Sequence, residues 1–304
     1  MACKFCSEKP VIKLTNNEEK LCRSCFIKYF ERKAIRTINK YKLIEENDRI
    51  VIGISGGKDS LSVLNLLNKY SKKRNNKISI TALLIDEGIK NYRNYSIEDA
   101  KRFCRENKIK LHIASYKEET GKTLDNMKKH RKDTIACSMC GVLRRYLLNK
   151  SSRKLKATKL ATGHNLDDEA QSIIMNQFRH NISLSARLGP ITGVRKDPRF
   201  IPRIKPFYFL TEKEVATYAY LNNLISKFNE CPYCEESNRF FVRDMLNDIE
   251  SKYPGTKHSI VASFLEVLPL LKEKYKNQEI NTCKLCKEPA SSDICSACKV
   301  KSII

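Results

Sequence analysis

Apolar positions along this chain follow two rhythms. Short runs of β-branched and aliphatic residues read as buried strands at Ile50 to Ile54, Ile78 to Asp86, Leu111 to Tyr116 and Lys159 to Thr162. Stripes at three- and four-residue spacing separate them and read as helices. Leu61, Leu64 and Leu67 mark one; Ile97–Asn107, Gly141–Lys150 and Asn165 to about Arg179 carry others. Strands alternating with helices predict an α/β domain whose parallel sheet is covered on both faces. Ahead of it, Phe26, Phe30, Ala34, Ile38 and Tyr41 predict an amphipathic helix from Phe26 to about Leu43. Beyond it, Arg203–Phe207 reads as strand-like, Thr211 and Glu214 form a capping box, and residues 238–278 carry further helical patterns.

Ligands in such sheets lie beyond the carboxyl ends of the strands. Three loops fall there. The first, Ser55-Gly56-Gly57-Lys58-Asp59-Ser60, is a glycine turn between a strand and a helix N-terminus, which makes an anion site. It is not a Walker loop: Gly53 and Gly57 enclose three residues instead of four, and Asp59 follows the lysine. The second is Ile85-Asp86-Glu87-Gly88. The third is Gly163-His164-Asn165-Leu166-Asp167-Asp168, in which Asn165 and Asp168 also suit helix capping.

Cysteine usage adds metal chemistry. Twelve of the 13 cysteines form six Cys-x-x-Cys pairs, and Cys104 stands alone on an apolar helix face as a small buried hydrophobe. Cys3, Cys6, Cys22 and Cys25 match zinc-site spacing, as do Cys283, Cys286, Cys295 and Cys298 with a shorter gap. Segments this short bury no core, so a metal would supply their folding free energy. Cys137 and Cys140 stand just before the helix expected from Gly141. Cys231 and Cys234 follow in Glu230-Cys231-Pro232-Tyr233-Cys234. Arg144 and Arg145, one turn past Cys140, suit stabilisation of developing charge or a phosphate backbone.

The 58 Lys+Arg against 34 Asp+Glu give a net charge of +24, which points to a polyanion partner, nucleic acid foremost. A lysine-rich composition bias is the plain alternative. No stretch is long enough to span a membrane and no secretory signal opens the chain, so a cytoplasmic protein is expected, with thiols used as metal ligands or catalysts. Asn238, Arg239 and Arg243 are candidate RNA contacts.

The string Ser-Gly-Gly-Lys-Asp-Ser resembles the loop of the ATP pyrophosphatase, or PP-loop, superfamily. That likeness implies cleavage of ATP between the α and β phosphates and transfer of AMP. Gly-His-Asn-Leu-Asp-Asp resembles the second signature of its tRNA-thiolating members. The terminal cysteine modules, Cys137–Gly141, Glu230–Tyr233 and Lys252–His258 extend the resemblance to archaeal and eukaryotic tRNA 2-thiouridine synthetases over nearly the whole chain. The family fold would be a PP-loop core at 28–226, flanked by zinc modules at 1–27 and 281–304, with a helical extension at 227–280. The resemblance implies ATP and Mg²⁺ on Ser55, Gly56, Gly57, Lys58, Asp59 and Ser60, with Ile85 and Asp86 at the adenosine and Gly163, His164 and Asp168 beside the phosphates. It gives catalytic roles to Asp59, Asp167 and Arg144, and a [4Fe–4S] cluster with an open iron to Cys137, Cys140 and Cys231. It also implies two zinc ions, tRNA as substrate, a ubiquitin-like carrier thiocarboxylate or sulfide as sulfur donor, and a homodimer. The segment Ser172–Asn176 looks more like the branch acting on the wobble uridine than the one acting on the T-loop ribothymidine. Cys234 departs from the pattern: with it, the four thiolates would also suit a third zinc, leaving persulfide chemistry or another nucleophile. A PP-loop ligase using an amine, or a non-catalytic zinc-ribbon RNA-binding protein, are the remaining readings.

Overall fold

Ile50, Val51 and Ile52 are buried on both sides of their strand, which explains a continuous apolar run in place of an alternating one. The strand is β1 (Arg49–Ile54), the centre of a five-stranded sheet. With β2 (Ser79–Asp86), β3 (Lys110–Ser115), β4 (Lys159–Ala161) and β5 (Arg203–Ile204), the order is β3-β2-β1-β4-β5, and each pair is parallel. The computed structural model describes residues 2–75, 77–130, 136–194, 197–226, 231–234, 238–278 and 280–303. Glu230 and the side chain of Asn238 lie outside the described parts.

Two layers cover the sheet. Ile50, Ile52 and Ile54 pack with Leu61, Leu64 and Leu67 of α2 (Lys58–Lys73). Val51 and Leu83 pack on the other face with Leu143, Leu147 and Leu148 of α4 (Ala136–Lys154). Between these helices in sequence lies α3 (Arg93–Glu106), where Cys104 is buried as expected. A third cluster joins α5 (Leu166–Phe178) to α7 (Asn238–Lys252) and α8 (Thr256–Tyr275).

The leading helix is α1 (Arg23–Lys40), which starts three residues before the expected Phe26. Cys22 is its N-cap residue, so the second cysteine pair forms the first turn. Residue 27, the expected end of the N-terminal module, lies within this helix. Phe30 fastens α1 to α6 (Glu212–Leu221): its ring stacks on Tyr218 at 4.0 Å and meets Phe207 edge-on at 5.1 Å. The C-terminal hairpin and α9 (Ser296–Ser302) dock on α4 through Arg153–Glu288 and through Lys301 and Lys150, which share Glu119.

Helix α4 corrects one expectation. Among the described residues it begins at Ala136, so Cys137 and Cys140 lie within its first turns and not before it. Gly141, the expected start of the helix, is an interior residue of it. An interior glycine costs about 1 kcal/mol, which burial of Met139, Leu143 and Leu147 on the same helix outweighs. No helix among the described residues is long and apolar enough to cross a membrane.

Replacing Phe30 removes a ring from a fully buried aromatic cluster. Phe30→Ala should lower unfolding free energy by about 3–5 kcal/mol, read as a lower denaturant midpoint. An unchanged midpoint would contradict this packing of α1.

Candidate functional site

The strand order reverses between β1 and β4, and the loops leaving both strands meet there. Gly56 has a φ of +77°, and a Cβ on it would sit 1.9 Å from the Ser96 carbonyl oxygen. This position requires glycine twice over, for conformation and for space. Gly57 is the N-cap residue of α2. The loop is tied by its own serines: Ser60 Oγ accepts from the Ser55 N–H at 3.0 Å and donates to the Gly57 carbonyl at 3.0 Å. A glycine turn that runs directly into a helix N-terminus has the form of an anion cradle of the kind a phosphate fits.

Lys58 Nζ donates to Asp59 at 2.9 Å and to Glu212 at 3.0 Å. Burial disfavours its charge, but these carboxylates outweigh burial and hold the ammonium more tightly protonated than usual. Burial raises the Asp59 pKa, against the pull of Lys58. The other Asp59 oxygen accepts from Asn165 Nδ2 at 3.2 Å. Asn165 also caps α5: its Oδ1 accepts from the Asp168 N–H at 3.1 Å, and Asp168 accepts from the Asn165 N–H at 3.2 Å. The capping box and the contact between loops are therefore one device. Asp168 faces Arg239, 2.9 Å away. Burial would raise its pKa, but Arg239 and His164 outweigh burial and lower it. His164 pairs with Thr162 at 2.8 Å, and burial pushes its imidazole down to about 4, so it is neutral near pH 7.

Asp167 and Asp168 are adjacent in sequence and separate in space. Both Asp167 oxygens are taken, one by the Lys257 ammonium and the other by the Glu212 N–H. Asp167 thus joins α5, α6 and α8, while Asp168 stays with the loop. In the second loop, Asp86 accepts from the Gly88 N–H at 2.8 Å and closes a turn. The buried Ile85 carbonyl accepts from Arg93.

Arg93 and Glu87 were not singled out in the sequence, and they connect two parts of the site. Glu87 is fully buried and pairs with both Arg93 and Arg144. Arg93 also donates to the Ser55 carbonyl at 2.6 Å, and Arg144 donates to Cys140 Sγ at 3.2 Å. A chain of charge-assisted bonds thus runs from the first loop to a cysteine. Tyr116 donates to the Cys140 carbonyl at 2.7 Å and approaches its sulfur at 3.4 Å. Cys137 Sγ donates to the Tyr233 carbonyl at 3.1 Å, which brings Cys231–Cys234 onto the start of α4. Cys231 and Tyr233 pack against the layer that holds Met139 and Cys140. This edge offers thiols as a donor set that suits thiophilic iron or zinc, with the Arg144 guanidinium beside one of them.

Among the described residues, two sets of ligand atoms are drawn closer still. Cys3, Cys6, Cys22 and Cys25, and Cys283, Cys286, Cys295 and Cys298, each lie within 4.8 Å of one another. Four sulfurs at that separation fit one tetrahedral metal ion per module.

A parallel sheet with this order, a glycine cradle after β1 and an Asn-capped turn after β4 define a PP-loop nucleotide-binding protein. A family model described as the PP-loop domain matches residues 28–249. Within that superfamily, the chain belongs to the tRNA 2-thiouridine synthetase family. It is 38% identical over 299 residues to the tRNA-5-methyluridine(54) 2-sulfurtransferase of Pyrococcus horikoshii, covering 98% of this chain and 93% of that one. It is 33% identical over 315 residues to the tRNA 2-thiolation protein NcsA of Haloferax volcanii, covering 99% and 98%. The solved structure of the U34-tRNA thiolase NcsA from Methanococcus maripaludis with its [4Fe-4S] cluster matches with a TM-score of 0.84 at 34% identity, covering 99% of this chain and 96% of that one.

Glu87→Ala would leave the buried Arg93 guanidinium without its carboxylate. The expected loss is about 3–5 kcal/mol of stability, measured by denaturant unfolding. A loss under about 1 kcal/mol would show that Arg93 does not depend on Glu87.

Proposed function

We propose that this chain is an ATP-dependent tRNA sulfurtransferase that replaces the C2 oxygen of the wobble uridine with sulfur. The observation that carries the reading is the bonded chain Ser55–Arg93–Glu87–Arg144–Cys140, which ties a nucleotide cradle to a set of thiols. A ligase using an amine would leave those thiols without a task.

ATP phosphates sit on the Ser55–Ser60 turn, where Lys58 offsets their charge and Asp59 and Asp168 help to hold Mg²⁺. The uridine O2 attacks the α-phosphorus, the bond to the β-phosphate oxygen breaks, and pyrophosphate leaves. Sulfur then adds at C2, the C2–O bond breaks, and AMP departs with the former uridine oxygen. Cys137, Cys140 and Cys231 would hold a [4Fe–4S] cluster, which would supply an open iron as a binding place for sulfide-level sulfur. Arg144 steadies the Cys140 sulfur and the charge that develops nearby. Asp167, engaged by Lys257, acts through the position of α5. Each terminal module holds one zinc. The sulfur donor is a ubiquitin-like carrier thiocarboxylate or free sulfide, and the enzyme works as a homodimer in the cytoplasm; these points rest on family likeness.

The relatives act on two different uridines by name, U34 and U54. The Ser172–Asn176 segment favours the wobble position, and the Pyrococcus relative favours the T-loop.

Anaerobic incubation with ATP, sulfide and unmodified tRNA, followed by nuclease mapping and mass spectrometry, tests the reading. The expected product is 2-thiouridine at the wobble position. Lys58→Ala should reduce its formation at least about a hundredfold, as for loss of a charge-stabilising group. Thiolation in the T-loop would reassign the target, and AMP formation without sulfur transfer would overturn the proposed reaction.

A further inference from the structure

A groove of about 790 Å³ opens between the N-terminal cysteine module and α1, apart from the nucleotide cradle. Lys28, Arg32 and Arg36 line one wall. They recur every four residues, so they stand about 6 Å apart along the helix axis. All three are exposed, and none is in an ion pair among the described residues. The carboxylate on the wall, Glu214, is buried and already taken by Lys33 and by the Thr211 N–H. The groove therefore presents unbalanced positive charge. Phe5 stands on the module side with 63% of its surface exposed, and Lys4 lies over its ring.

One residue links the groove's lining to the cradle. Thr211 lines the groove and caps α6, whose first residue, Glu212, holds Lys58 of the cradle. The module wall is pinned to the core by Asn16 against His258 at 2.8 Å and by Lys213, which donates to the Lys13 carbonyl at 2.8 Å.

We propose that this groove seats a single-stranded stretch of the RNA substrate, with phosphates along Lys28, Arg32 and Arg36 and one unstacked base on Phe5. A row of cations beside an exposed ring is how proteins hold unpaired nucleotides. The N-terminal module then has a second task besides its own fold: it supplies the stacking wall of the RNA site. This assignment rests on the reading of the chain as a tRNA-modifying enzyme.

The test is fluorescence anisotropy of labelled unmodified tRNA with the full, metal-loaded chain across a salt series. The triple change Lys28→Gln, Arg32→Gln and Arg36→Gln should weaken binding at least about tenfold and lower the slope of log K against log salt by about 2–3. A charge-matched control, Lys72→Gln, Lys73→Gln and Arg74→Gln at the far end of α2, should leave the slope within about one. Phe5→Ala should cost about fivefold or more without changing the slope, because stacking releases no counterions. Zinc content verifies that the module is intact, and Phe5→Leu replaces Phe5→Ala should the smaller side chain lose zinc. If the groove and control triples lose affinity equally, or if the wild type thiolates tRNA and the groove triple binds as well as it does, the groove is not the RNA seat. If the wild type binds no tRNA, both the groove assignment and the proposed activity fall.

Discussion

Everything at the site depends on how closely two loops approach at Gly163 and Asp59. A Cβ on Gly163 would lie 2.7 Å from the Asp59 carbonyl carbon and oxygen, so no other residue fits without moving the backbone. The approach is possible because β1 and β4 are neighbours in a parallel sheet and the chain leaves both at the same edge. It lets one asparagine, Asn165, cap α5 and hold Asp59 together. The placement of the Asp59 carboxylate and the start of α5 both follow from that single contact.

A second constraint is electrostatic. Glu87 places its carboxyl group where water does not reach, and it is tolerated because two guanidiniums pair with it. Buried pairs of this kind contribute little net stability, since desolvation offsets most of the attraction. Their effect is geometric. Arg93 reaches the backbone of the first loop and Arg144 reaches a cysteine, so the cradle and the thiols keep a defined separation. The basic groove beside α1 extends the same logic outward, with the N-terminal cysteine module as one wall.

The core strands, the three loops and both terminal cysteine sets were legible because their signals are local: apolar runs, paired glycines and fixed cysteine spacing. The beginning of α3 was not. Arg93, Asn94, Tyr95 and Ser96 have no apolar rhythm, and Arg93 is helical here because Glu87 and two carbonyls hold its side chain. The two aspartates of the third loop could not be told apart either. Successive helical residues point about 100° apart, and the partner that claims Asp167 lies 90 residues away. Arg239, a candidate RNA contact on its sequence position, also meets Asp168 in the folded chain. In each case the deciding group comes from a distant part of the chain.

The central claim is that the thiols at the start of α4 serve sulfur transfer and not a third structural zinc. Iron, labile sulfide and zinc per chain, measured on protein purified without oxygen, test it most directly. The account predicts about four irons, four sulfides and two zincs, unchanged by Cys234→Ala and with iron lost in Cys137→Ser. Three zincs with neither iron nor sulfide would contradict it.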